Sequence, residues 1–109
     1  MATYIKLKRI NRHTASGAIR MRDGVVALSG ASALAMTITS PTNNDDGSVL
    51  TIMATTAQAH TVTYGTVGFN GGSTAKDVAT FGGAIGDNLV LTAISGVWYV
   101  VSSVNVTIA

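Results

Sequence analysis

The chain contains no cysteine and one proline, Pro41, and only 11% of its residues are charged. Without cysteine there can be no disulfide staple, thiolate metal site or cysteine nucleophile. Charge at less than half the ~25% of an ordinary domain leaves little to solvate a surface, so much of that surface is expected to be covered by neighbours. His13 and His60 are the only imidazoles available as ligands or bases. No long apolar run is present either. Mean hydropathy is positive and residues 24–44 and 88–109 carry no charge, but Thr, Ser, Asn and Gly interrupt both stretches. They read as short alternating strands rather than as the ~20 apolar residues of a spanning helix, and no membrane association is expected. The basic N-terminus lacks the apolar core of a secretory signal, so the protein is expected to act where it is made, or on a particle assembled there.

What is there is a 109-residue chain, enough for one domain with a modest core, for which self-association is a natural source of extra stability. Charge is segregated. Residues 1–22 hold Lys6, Lys8, Arg9, Arg12, Arg20 and Arg22 and no acid, net +6, whereas residues 23–109 set Lys76 against five aspartates, net −4. This divides the chain into a basic N-terminal arm, residues 1–23, and a mildly acidic body, residues 24–109. In the arm, Tyr4, Lys6 and Lys8 alternate with Ile5 and Leu7, and a Thr/Ser/Gly cluster follows His13, which predicts strand, loop, strand.

The body shows runs of β-branched and aromatic residues broken by Gly, Asn, Asp or Pro, predicting strands over 24–28, 34–39, 48–54, 60–64, 77–81, 88–94, 97–103 and 104–108. Residues 40–47, 69–73 and 82–87 are turn-forming, and Ser95-Gly96 marks a tight hairpin. Residues 29–35, rich in Ala and Ser, are the one stretch with helical character. The expected fold is all-β: a small antiparallel β-sandwich, or a jelly-roll or β-tulip-like barrel, with an extended N-terminal arm.

Signals for chemistry are weak. Placing Gly47 at the sixth position of a calcium loop puts Met53 where a carboxylate is required, so Asn44-Asp45-Asp46-Gly47 reads as a hydrogen-bonded turn. His60 with Asp77 or Asp87 and any serine could be assembled into a triad on paper, but no nucleophile elbow exists. His60 reads instead as a hydrogen-bonded residue at a strand end. The glycines of 82–86 lack the Lys-Ser/Thr ending and the helix of a phosphate loop. No catalytic residue, metal or cofactor is therefore expected. The arm, with Tyr4, Lys6, Lys8, Arg9, Arg12, Arg20 and Arg22, is the expected partner-binding element. It reads as a strand that augments a partner's sheet, because the acidic body offers no aromatic stripe for nucleic acid. Trp98 and Tyr99 are adjacent on one strand and face opposite sides, so one is expected in the core and the other at a subunit contact.

The series Ser40-Pro41-Thr42, Asp45-Asp46-Gly47, Leu50-Thr51-Ile52, Ala59-His60-Thr61-Val62, Phe69-Asn70-Gly71-Gly72, Ala79-Thr80-Phe81-Gly82-Gly83-Ala84-Ile85-Gly86-Asp87 and Gly96-Val97-Trp98-Tyr99-Val100 resembles a β-module of tailed-phage structural proteins. It is similar to the small decoration, or cement, proteins of phage heads, and similar modules occur in phage fibres. The resemblance spans about residues 34–101. It implies a homotrimeric knob seated where capsomers meet, clamping the major capsid protein lattice on the virion surface, with no catalytic residues. A tail-fibre or tailspike knob and a carbohydrate-binding module, with Trp98 beside Asn70 or Asp87, are the alternatives. Removal of residues 1–12 is expected to leave a folded body with weakened attachment to the shell.

Overall fold

The structure, a computed structural model, describes residues 9–109. Ten strands follow one another: β1 (Ile10–His13), β2 (Gly17–Ile19), β3 (Gly24–Leu28), β4 (Ala35–Ile38), β5 (Val49–Ala54), β6 (Thr61–Thr63), β7 (Val78–Phe81), β8 (Asn88–Ile94), β9 (Val97–Val104) and β10 (Val106–Ile108). The chain is all-β. A front sheet runs β1-β3-β5-β8-β9 and a back sheet β10-β7-β6-β4-β2.

The inner faces follow from period-two alternation. In β5, Leu50, Ile52 and Ala54 are buried while Val49, Thr51 and Met53 point out. In β8, Leu89, Leu91 and Ala93 do the same. The back sheet answers with Met36, Ile38, Val62, Ala79 and Phe81. Trp98, Tyr64 and Phe69 complete the core, each worth about 1.5–3 kcal/mol or more on burial. The Trp98 indole Nε1 donates to the Thr39 carbonyl at 2.9 Å, so this one side chain ties the last long strand of the front sheet to the end of β4 in the back sheet. Tyr64 and Phe69 meet edge to face, 5.5 Å between centroids.

The expected strands are present close to their predicted bounds, but two expectations about their arrangement are corrected. First, the sheets are mixed rather than antiparallel. β1, β3 and β5 pair in parallel, as do β2, β4 and β6. The cause is the path of the chain, since each of the first five strands hands over to the opposite sheet, and successive strands of one sheet then run the same way. Antiparallel pairing begins at β7. Second, residues 10–23 are not an arm beside the sandwich, because β1 and β2 are its first strands, one in each sheet. Cutting at residue 12 would remove three of the four residues of β1. Tyr4, Lys6 and Lys8 lie outside the described residues. The stretch 29–35 forms no helix. It is a corner between β3 and β4, its end fixed where the Leu34 amide donates to His60.

Turns carry the expected chemistry. Ser95 and Gly96 both have positive φ, 51° and 77°, the two-residue geometry whose twist suits a hairpin. Asn105, with φ of 54°, lets the chain leave β9 in the front sheet and enter β10 in the back sheet. Its side chain lies against Gly82, where an added Cβ would collide with the amide. Gly82→Ala is therefore predicted to destabilise the fold by about 1–3 kcal/mol through overpacking, measured by urea denaturation. An unchanged midpoint would show that the strand switch yields freely.

Candidate interaction surfaces

Sheet register determines what the outside of each sheet presents. On the front sheet one outward row reads Arg12, Ala27, Met53, Asn88 and Val104 across the five strands, with Ala27 itself buried, and the next reads Ile10, Val25, Thr51, Val90 and Ser102. A third row adds Val49, Thr92 and Tyr99. Among the described residues Arg12 is the only charged side chain on it, and it sits at the β1 edge. Exposure is substantial at the opposite side: Tyr99 is 37% exposed, Ile94 49%, Val104 54% and Val101 60%. Val101 is the extra residue of a β-bulge, where pairing shifts from Leu91↔Val100 to Val90↔Ser102. The outer back sheet differs in kind. Its rows are Ala35, Thr61, Thr80 and Thr107, and Ala18, Thr37, Thr63 and Val78, polar but uncharged.

Trp98 is fully buried and serves the core, so of the two aromatics named as subunit contacts only Tyr99 is at the surface. The described arginines divide by role. Arg22 is half-buried and donates to the Ser40 carbonyl at 2.6 Å and to Thr39 Oγ1 at 3.4 Å, with Asp45 3.8 Å away. Arg9 pairs with Asp23 at 3.4 Å, and Asp23 also accepts from the Val49 amide. Arg12 and Arg20 are exposed.

The polar residues that suggested chemistry are occupied at corners of the sandwich. Asp45 accepts from the Thr42 amide and hydroxyl, which hold its carboxyl below the usual range. Asp46 accepts from the Ser95 amide at 2.7 Å. Asp87 is buried and accepts from the Ala84 amide and from Asn105, bonds that lower its pKa against the opposing effect of burial. His60 is wholly buried. Its Nδ1 accepts from the Leu34 amide at 2.9 Å, so Nε2 carries the proton and donates to Thr56 Oγ1 at 3.0 Å, which in turn donates to the Gly30 carbonyl at 2.7 Å. Both ring nitrogens are thus used, and neither faces Asp77 or Asp87. The hydrogen-bonded strand-end reading of His60 holds.

No family model matches the chain, and no curated protein matches it. Its surfaces must therefore be interpreted from their own chemistry.

Burial pushes the His60 pKa down, and a proton on Nδ1 would also abolish the bond from Leu34. The folded state thus keeps His60 neutral while the unfolded chain takes up a proton near pH ~6.5, so its contribution is intact above that pH and declines below it. The melting temperature of the wild type is predicted to fall between about pH 7 and pH 5, and His60→Gln to flatten that fall from a lower starting value. A parallel decline in the variant would remove His60 as its cause. A second decline, as Asp45 and Asp87 protonate, is expected only below their ordinary carboxylate range.

Proposed function

We propose that this protein is a non-enzymatic structural subunit that assembles through the outer face of its front sheet, and specifically a decoration or cement protein of a phage head. The observation that carries the self-assembly is that face: three outward rows with one charge among the described residues, at the edge. Five strands ~4.8 Å apart and about six residues of ~3.3 Å each give roughly 480 Å² of flat face, more than half of the ~800 Å² that each partner of a standard interface contributes. The face mixes exposed apolar side chains with Thr51, Asn88, Thr92 and Ser102, and its extent is that of the largest patch on many monomers, ~300–600 Å², which is often a functional one.

The occupant argued for is another copy of the chain. A nearly uncharged face meets its own kind without electrostatic penalty, whereas a charged partner would have to be desolvated against it. The resemblance of residues 34–101 to head decoration proteins supplies the rest of the reading: three copies, seated on the major capsid protein at the virion surface. Weak contacts repeated over a shell would then add up through multivalency, resisting internal pressure without any single strong bond. The carbohydrate-binding reading is less well supported, since the Trp98 ring that a sugar would need is in the core, and Asn70 spends its side-chain oxygen on the Val100 amide.

Tyr99→Asp and Val104→Asp place a carboxylate on the face at exposed positions. Each is predicted to weaken self-association by about tenfold or more, equivalent to ~1.4 kcal/mol, read as molar mass across a dilution series, with an unchanged melting curve for the dissociated protein. Thr80→Asp, on the outer back sheet, is predicted to leave self-association intact. Equal loss from all three variants, or loss from none, would remove the front face from self-association, and failure of the wild type to sediment with undecorated phage heads would remove the decoration reading.

A further inference from the structure

The first strands of the two sheets leave a second surface of different character. β1 pairs only with β3, and β2 only with β4, so among the described residues no strand lies against the outer edge of either. Beside these edges run two adjoining hollows, about 590 and 390 Å³, which share Arg20 and Arg22. Arg9 lines the first, and Ala18 with Thr37 the second. The edge of β2 itself is sterically open: Gly17 and Ala18 are exposed, and a Cβ at Gly17 would touch nothing.

We propose that this groove is a docking site for an extended acidic segment of a partner protein, added as a strand to the β2 edge. The edge would supply main-chain donors and acceptors, as in β-strand addition. Arg20, and the N–H groups of Arg9 and Arg22 not taken by Asp23, Ser40, Thr39 and Asp45, would meet its carboxylates. Charge selects this occupant. Three arginines against two aspartates leave the groove net positive, and Arg12 on the adjacent strand adds to the field. A second copy presenting the same edge would bring like charge against like charge, the device by which exposed edges avoid self-pairing. Residues 1–8 contain Lys6 and Lys8 and no acid, so their charge does not fit the groove either. The β2 edge belongs to the back sheet, whereas the self-association argued above uses the outer face of the front sheet, so docking there can be tested whether or not that reading holds.

The probe is a capped peptide of alternating Thr and Glu, roughly eight residues long to match β2 and the residues flanking it, with the Thr/Gln peptide as its neutral counterpart. Binding to the full chain is followed by fluorescence anisotropy and by amide chemical shifts. The Glu peptide is expected to bind with perturbed amides at Gly17–Ile19, to weaken about tenfold between ~50 and ~300 mM salt, and to outbind the Gln peptide. Arg20→Glu should cost about tenfold or more in affinity, while Lys76→Glu, the same change of charge at an exposed position in another turn, should have no more than about a twofold effect. Equal loss from Lys76→Glu, perturbations away from β2, or no binding of the Glu peptide at low salt would each overturn the proposal.

Discussion

The constraint on which the rest of the structure depends is that the chain changes sheet at almost every turn. Six successive strands alternate between front and back before the first two neighbours in sequence, β6 and β7, share a sheet. Each change carries the backbone around a corner, where its amides and carbonyls leave the ladder and need other partners. Side chains supply them: Asp23 to Val49, Thr42 with Asp45, Asp46 to Ser95, His60 between Leu34 and Gly30 through Thr56, Asp87 between Ala84 and Asn105. Four of the five aspartates are spent this way. The scarcity of charge thus has a structural counterpart, because the acids present stitch corners and leave both sheet faces nearly free of charge.

The same alternation produces the two surfaces. Strands that cross between sheets keep one face of each strand for the shared core, and the other face turns outward, half-covered at the centre of the front sheet and most exposed along β9. Where that outer face carries valine, isoleucine, methionine and tyrosine, as on the front sheet, it asks for a cover. Where it carries threonine, as on the back sheet, it is content with water. The edges differ as well. The outer edge of β9 has its Val100 amide taken by Asn70, whereas β1 and β2 are short and flanked by arginines, which suits them to discriminate among partners by charge.

Much of the strand pattern was legible in the sequence, because glycine, asparagine and aspartate bracket short alternating runs. Residues 24–28 and 88–94 coincide with β3 and β8, and Ser95-Gly96 turns as its composition requires. Parallel pairing was not legible, since it depends on which sheet a strand joins after each corner, and no local residue encodes that. The boundary drawn at residue 23 followed charge, but arginine on a strand can keep its head in water while the backbone pairs, so a basic segment need not stand apart. That one of Trp98 and Tyr99 would be core was evident from alternation. Which one was not, because both are large and amphipathic, and the indole's bond to Thr39 decides it. The apolar front face did have a signal, the charge-free stretches 24–44 and 88–109, which supply β3, β8 and β9 to it.

The claim that the front face is buried between copies is tested most directly by the molar mass of the purified wild-type protein in solution, measured by light scattering across a dilution series. The account predicts a mass that is a multiple of the 11.1 kDa chain, three copies if the resemblance to head decoration proteins holds, and dissociation only on dilution. A mass of one chain at every concentration, with no tendency to associate, would contradict it.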